Sequence, residues 1–126
     1  MNNDFFQSPE AKKEKVNQIN AERRRLNTLL AELDENKKKA AEGLIDECAF
    51  MRATLKQLRA FIDDNGFIDD MQQGDYSILR ESPAVRTYNT MIQKYAALCK
   101  QLFDMLPNKG NTPLGDDEFE KFRNSK

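Results

Sequence analysis

Apolar residues recur every three or four positions through most of this chain, which is the spacing of one face of an α-helix. The first series alternates threes and fours except at residues 40–48, where two fours follow each other, and two of its positions are charged. Its members are Val16, Ile19, Arg23, Leu26, Leu30, Leu33, Lys37, Ala40, Leu44, Cys48, Met51, Leu55, Leu58 and Ile62. The double four is typical of a stutter, which locally unwinds a coiled coil.

Local signals delimit this helical series. Ser8 is a typical helix cap, Pro9 suits the first helical position, and the Asn-Gly pair at residues 65–66 suits a helix end. An unbroken helix over residues 9–64 would be a rod of about 84 Å, at ~1.5 Å per residue. If the series breaks, residues 34–36 are the expected place, and we then expect two collinear helices.

The period changes in the segment NGFIDDMQQGDYSILRE, residues 65–81. Two short runs of β-forming residues flank the sequence QQGD, and Gly74 can supply the positive φ that a tight turn needs. This segment therefore predicts a short β-hairpin.

The segment ESPAVRTYNTMIQKYAALCKQLFDMLP, residues 81–107, predicts a second long helix. Ser82 caps it, Pro83 takes the first helical position, and Pro107 stops it. Its apolar face is too wide for one neighbour, so we expect it to pack on residues 42–64 as an antiparallel hairpin and also on a second copy of the chain. The residues assigned to this core and oligomer contact are Val85, Tyr88, Met91, Ile92, Tyr95, Leu98, Leu102 and Leu106.

Together these elements predict an all-α fold, an elongated helical hairpin or coiled-coil core with a long N-terminal helix and a short β-hairpin insertion. Residues 1–41 are expected to form a basic N-terminal helical segment, residues 42–107 the hairpin core and oligomerisation domain, and residues 108–126 a flexible tail. In the tail, Phe119 and Phe122 stand among acidic residues. That pattern is typical of a solubilising tail, and also of a short partner-binding motif.

The composition argues against an enzyme. The 126 residues include no histidine, the commonest general base and zinc ligand, and no phosphate-binding glycine loop or nucleophile motif. Cys48 and Cys99 fall on apolar positions, so we interpret them as small buried hydrophobic residues. We therefore expect no catalytic residue, no cofactor and no metal site. No apolar run approaches the ~20 residues of a membrane span, so we expect no membrane contact. The N-terminal sequence MNNDFFQSPEAKKEK has no apolar signal-peptide core, so we expect a cytoplasmic protein.

Basic residues are clustered, although the net charge is only −1. Two triplets stand 14 residues apart, and on a continuous helix they would lie within about 40° of each other, as phosphate contacts along a DNA duplex would require. The alternative is a solvated helix surface on which neighbouring acidic residues balance the charge. The residues assigned to DNA binding are Lys12, Lys13, Lys15, Arg23, Arg24, Arg25, Lys37, Lys38 and Lys39.

Residues 44–107 resemble the small subunit of phage terminases, in the branch common in phages and prophages of Gram-positive bacteria. The likeness lies in an acidic and apolar helix, LIDECAFMRATLKQLRAFIDDNG, then in the glycine-containing FIDDMQQGDYSIL, and last in RESPAVRTYNTMIQKYAALCKQLFDMLP. The last segment is the most specific, through its Ser-Pro start, its Tyr-Asn-Thr-Met-Ile run, its Lys-Tyr pair and its Leu-Pro end. The chain departs from many family members in having no recognisable helix-turn-helix near the N-terminus.

The resemblance implies a DNA-packaging factor that acts in the host bacterial cytoplasm. Small terminase subunits recognise the viral genome, assemble into homo-oligomeric rings and deliver double-stranded phage DNA to the large terminase subunit. In this branch an HNH endonuclease and the portal commonly belong to the same machine. The expected function is therefore that of a non-catalytic small terminase subunit. The alternative is a structural or adaptor coiled coil of a prophage or mobile element that binds only protein.

Overall fold

A computed structural model describes residues 4–107 of the chain, and the predicted tail at 108–126 lies outside the described residues. The elements in chain order are helix α1 (Asp4–Gln7), helix α2 (Pro9–Leu29), helix α3 (Glu35–Asn65), strand β1 (Ile68–Gln73), strand β2 (Tyr76–Glu81) and helix α4 (Pro83–Asp104). This part of the chain is mostly helical with one small antiparallel hairpin, so the coarse prediction of a helical fold with a short β-hairpin insertion is confirmed. Within it, no helix is both long and apolar enough to cross a bilayer.

Each long helix begins at a side chain that accepts a hydrogen bond from its first turn. Ser8 Oγ accepts from the Ala11 N–H at 3.1 Å, and Asp34 Oδ1 accepts from the Lys37 N–H at 2.8 Å. Ser82 Oγ does the same for α4 at 3.2 Å. Because the first N–H groups of a helix have no partner within it, these caps define where helices start.

The rod or pair of collinear helices predicted for residues 9–64 is wrong, because α2 and α3 run antiparallel. Gln57, late in α3, donates to the carbonyl of Ala11, early in α2, at 3.0 Å. Arg23 Nε, late in α2, donates to Asp46 Oδ1, early in α3, at 3.0 Å. The chain therefore turns back on itself instead of extending.

The turn lies at residues 30–34 and overlaps the break predicted at residues 34–36 at one residue, Asp34. Its two leucines are nearly fully buried, Leu30 with 2% and Leu33 with 4% of its surface exposed. On a straight rod both side chains would remain in water on a narrow stripe. Folding back buries them against α3 and α4, which is the hydrophobic reason for the turn.

The main core lies between three antiparallel helices, with α3 in contact with both α2 and α4. Its buried cluster consists of Leu26, Leu30, Leu33, Ala41, Ile45, Cys48 and Leu102. Because the late part of α4 packs on the early part of α3, α4 runs antiparallel to α3, as predicted for the hairpin. This cluster occupies the end of the molecule at which α2 turns into α3, and we call that end the turn end.

The buried face of α2 and α3 agrees with the predicted stripe only in part. The predicted positions that are buried are Leu26, Leu30, Leu33, Cys48, Leu55 and Leu58. Arg23, Lys37 and Ala40, which the stripe placed toward the core, are exposed, whereas Glu22 and Ala41 are buried. In α2 the burial follows steps of four from residue 22. Helix α3 is central and packs against both α2 and α4, so its buried residues occupy more than one stripe.

The opposite end of the molecule carries the β-hairpin, and we call it the hairpin end. Strand β1 pairs antiparallel with β2, with Ile68 opposite Glu81 and Gln73 opposite Tyr76. Gly74 turns the hairpin with a φ of 63°, which confirms both the predicted hairpin and the role of this glycine. The N–H of Ser82 donates to the Phe67 carbonyl at 2.8 Å and so joins the hairpin to the start of α4.

A second apolar cluster packs near the hairpin end. The rings of Phe5 and Phe6 in α1 lie 5.2 and 5.3 Å from the ring of Phe61 in α3. Aromatic pairs at this spacing attract each other beyond the apolar area they bury. Packing of the three rings therefore holds α1 against the last turns of α3.

Two neighbouring leucines of α2 test the position of the buried face. Leu26 has 0% of its surface exposed and Leu29 has 46%. We expect Leu26→Ala to lower the free energy of unfolding by roughly 3–5 kcal/mol, because it leaves a cavity under the turn. Leu29→Ala should cost less than about 1 kcal/mol. Urea denaturation followed by circular dichroism measures both, and equal losses would contradict this packing.

Candidate functional site

The turn between α2 and α3 places the two basic triplets at the turn end. Residues 23–25 lie in the last two turns of α2, and residues 37–39 lie in the first turn of α3. The geometric reason given for grouping them, a common face on one continuous helix, is wrong. The antiparallel turn supplies another reason, because it sets the two triplets on adjoining helices.

Two clefts along the seam of α2 and α3 connect the triplets. Arg23 lines a cleft of about 380 Å³, and Lys38 and Lys39 line a second of about 390 Å³. Both clefts are also lined by Asn27, Glu42 and Ile45. One residue of the first triplet and two of the second thus line adjoining clefts at the turn end. We call the two triplets, residues 23–25 and 37–39, the basic turn surface.

Half of the basic turn surface is already paired with acidic side chains. The pairs are Arg23 with Asp46 at 3.0 Å, Arg25 with Glu22, and Lys38 with Glu35 at 3.9 Å. Successive helical residues point about 100° apart, so the members of one triplet cannot all face the same way. Paired cations have to give up a partner before they can contact a phosphate.

The other half consists of Arg24, Lys37 and Lys39. All three side chains are exposed, and none of them forms a salt bridge within the described part of the chain. Exposed cations of this kind are the groups that exchange counterions for DNA phosphates. The six cations are equivalent in the sequence pattern. In the fold, three of them form salt bridges and three do not.

The lysines near the start of α2 lie away from the basic turn surface. Lys12 and Lys13 are exposed, and Lys12 is 11 residues before Arg23, or about 16 Å along the helix at ~1.5 Å per residue. Lys15 Nζ lies 4.2 Å from the centre of the Phe50 ring, a cation–π contact with α3. Burial lowers the pKa of Lys15 from its ordinary value. Lys15 is therefore partly engaged in helix packing.

The α4 residues assigned to the core and oligomer contact divide into two groups. Leu102 is fully buried, and Tyr95, Leu98 and Leu106 pack against the main cluster. Those nearer the hairpin end are only half-buried in the single chain, namely Val85, Tyr88, Met91 and Ile92. The wide apolar face thus serves the chain's own core at the turn end.

A buried carboxylate that the sequence pattern missed lies beneath the basic turn surface. Glu22 has 8% of its surface exposed, and its oxygens accept hydrogen bonds from Arg25 Nε at 3.1 Å. The hydroxyl of Tyr95 in α4 donates to Glu22 Oε1 at 3.4 Å. The signal that could have found it is its spacing, four residues before Leu26 and eight before Leu30, on one face of α2.

The charge state of Glu22 follows from its neighbours. Burial by itself raises the pKa of this carboxyl, but the hydrogen bond from Arg25 and the positive charges of Arg25, Arg52 and Lys56 outweigh it, and the pKa is lowered from 4.5. The same pair raises the pKa of Arg25. Glu22 is therefore ionised at neutral pH and links α2 electrostatically to both neighbouring helices.

The two cysteines lie close together between α3 and α4. Both are free thiols, Cys48 buried and Cys99 half-buried. Burial, together with the neighbouring Cys99, raises the pKa of Cys48 to about 12. Because the thiolate is the nucleophile and metal ligand, a thiol with this pKa is unreactive near neutral pH. Cys48 thus packs as the small hydrophobic residue that we interpreted from the sequence.

Comparison of this chain with protein-family models, with curated proteins and with solved structures gave no match. The resemblance of residues 44–107 to small terminase subunits therefore stays a prediction. Function has to be inferred from the surface that the fold assembles. That surface is cationic, and within residues 4–107 no three cysteine, aspartate or glutamate side chains form a group that could hold a metal ion.

The buried carboxylate predicts a pH-dependent contribution to stability. Because the pKa of Glu22 is lowered in the folded chain, its ionised form stabilises the fold above the ordinary carboxyl pKa, and this contribution is lost as the pH falls through the folded-state pKa. Glu22→Gln should lower the free energy of unfolding at pH 7 by roughly 1–2 kcal/mol, since Arg25 is half exposed. The difference from the wild type should shrink below about pH 4.

Glu14 provides the matched control, because it is an exposed glutamate on the same helix. Glu14→Gln should change the free energy of unfolding by less than about 0.5 kcal/mol at either pH. Denaturant titrations at pH 7 and at pH 3.5 measure both variants. A loss for Glu22→Gln that is the same at both pH values would contradict the electrostatic role.

Proposed function

We propose that this chain is a non-catalytic DNA-binding and assembly subunit of the small terminase type, and that its basic turn surface contacts the phosphates of double-stranded DNA. The observation that carries the proposal is the presence of three exposed cations without salt-bridge partners in the described residues, on two helices at one end of the molecule. These are Arg24, Lys37 and Lys39. The resemblance of residues 44–107 to small terminase subunits supports the choice of DNA as the polyanion.

Phosphate contacts of this kind position a duplex without reading its sequence. The basic turn surface offers lysine and arginine side chains beside the carboxylates of Glu42 and Asp46, which disfavour deep penetration by a phosphate backbone. Binding should therefore be shallow and strongly dependent on salt. Recognition of a packaging site would then come from DNA shape or from several copies that act together.

The second part of the proposal is that the chain assembles into a homo-oligomeric ring. This ring delivers phage DNA to the large terminase subunit, in a machine that also contains an HNH endonuclease and the portal. Exposed apolar side chains support self-association. The hairpin end carries five of them, with exposed fractions between 46% and 71%: Phe67, Ile68, Tyr76, Ile78 and Leu79. A two-stranded sheet is at best marginally stable alone in water, so its exposed apolar side chains favour contact with another copy.

An adaptor coiled coil that binds only protein is the competing function. One observation favours it: three of the six cations in the basic turn surface are neutralised by Asp46, Glu22 and Glu35. A surface balanced in this way is also what a solvated helical pair displays. The two functions differ in whether the three exposed cations bind a polyanion.

The triple variant Arg24→Gln/Lys37→Gln/Lys39→Gln tests DNA binding. It removes the exposed cations and retains the paired ones, so the helical pair keeps its salt bridges. We expect much weaker binding to a short duplex at low salt, because phosphate contacts provide most of the affinity. The slope of log K against log salt concentration should fall in magnitude by about three, at roughly 0.9 for each lost contact. Fluorescence anisotropy measures both quantities.

A charge-matched control changes three exposed cations elsewhere. Arg59, Arg86 and Lys94 lie on α3 and α4, outside the basic turn surface. Their replacement by glutamine lowers the net charge by the same amount and should leave the salt slope unchanged. If both triple variants lose affinity equally, the turn end is not the DNA site. If the wild-type chain has no affinity at low salt, the adaptor function is favoured.

The double variant Tyr76→Ser/Leu79→Ser tests assembly through the hairpin end. We expect the wild-type chain to exceed the 14.6 kDa of a monomer in light scattering at micromolar concentration. The variant should approach that mass, because it removes two of the most exposed apolar side chains of the hairpin. Val16→Ser/Leu29→Ser removes two exposed apolar side chains from α2 and should keep the wild-type mass. A wild-type monomer would contradict the oligomer.

A further inference from the structure

A shallow groove lies between α3 and α4 on a different part of the molecule from the basic turn surface. Its volume is about 350 Å³, and its lining consists of Met51, Arg86, Thr87, Thr90, Met91 and Lys94. Met51 and Met91 are half-buried. Methionine side chains are flexible and make favourable contacts with aromatic rings, so such a groove suits an aromatic ligand.

The charges around the groove are positive. Arg86 and Lys94 are eight residues apart on α4, about 12 Å at ~1.5 Å per residue, and no acidic residue is among those that line the groove. Arg86 approaches Glu81 only at 4.0 Å, with 82% of the arginine side chain exposed, so this surface pair is weak. Lys94 is exposed and forms no salt bridge within residues 4–107. The groove is therefore complementary to an acidic segment that carries aromatic residues.

The chain itself contains such a segment after its last described residue. The sequence DDEFEKF, residues 116–122, places four acidic side chains within five residues and includes Phe119 and Phe122. Phe119 comes twelve positions after Pro107, and a chain of that length can span up to about 40 Å. From the end of α4 at Asp104 back to Met91 the distance along the helix is about 20 Å. The tail is thus long enough to reach the groove of its own chain.

We propose that residues 116–122 dock into the groove between α3 and α4 of the same chain, with the two phenylalanine rings on Met51 and Met91 and the acidic side chains beside Arg86 and Lys94. Binding within one chain gives the segment a high effective concentration at the groove, so weak individual contacts suffice. The bound tail covers apolar surface that α4 otherwise exposes to water. This docking does not depend on DNA binding.

Methyl resonances of the full-length chain provide the test. With methionines labelled at the ε-methyl carbon, rings seated on Met51 and Met91 should displace both resonances by ring-current effects. Phe119→Ala/Phe122→Ala should remove this displacement, while the resonances of Met71 and Met105, which do not line the groove, should stay in place. Arg86→Gln/Lys94→Gln should produce the same loss with the tail intact, because it removes the attraction for the acidic residues.

Two controls and a dilution series complete the design. Leu114→Ala changes an apolar tail residue outside the acidic segment and Arg59→Gln removes an exposed cation outside the groove, and both should leave Met51 and Met91 unchanged. The proposal would be overturned if the resonances of Met51 and Met91 stay at the same chemical shifts in both the phenylalanine variant and the cation variant. A displacement that disappears on dilution would overturn it as well, because the occupant would then be the tail of a second copy.

Discussion

Burial of Leu30 and Leu33 at the turn is the constraint on which the rest of the structure depends. A straight helix over the same sequence would leave the apolar side chains of α2 and of the turn in water, whereas the fold-back packs them against α3. The fold-back makes α3 a central helix with α2 on one side and α4 on another. It also sets the positions of both basic triplets, of Glu22 beneath them, and of the groove between α3 and α4.

The parts of the fold that the sequence predicts are those decided within a few residues. Ser8, Asp34 and Ser82 cap helices because each can reach a backbone N–H two or three residues ahead, and Gly74 adopts a positive φ because the hairpin loop requires it. The direction of α3 relative to α2 was not predictable in the same way. A cap at Asp34 is compatible with a straight continuation and with a reversal, and only the packing of distant residues decides between them.

The candidate site shows the same division between local and distant causes. The clustering of arginines and lysines is visible in the sequence, but which of them are exposed and unpaired depends on Asp46 and Glu22, whose positions follow from the fold. Glu22 has the spacing of a core residue but a charged side chain. A stripe defined by apolar side chains therefore does not include it. Its ionised form is stable there because Arg25, Arg52 and Lys56 surround it, and two of these belong to α3.

Under the proposed function, DNA binding and self-association use opposite ends of the molecule. The turn end carries the exposed cations that have no salt-bridge partner in the described residues. The hairpin, at the opposite end, carries the most exposed apolar side chains. With α3 31 residues long, the two ends are separated by about 45 Å, at ~1.5 Å per residue, which is several Debye lengths at physiological ionic strength. Charges at one end therefore have little influence on association at the other. A chain built in this way can bind a polyanion and a second copy at once without competition between the two contacts.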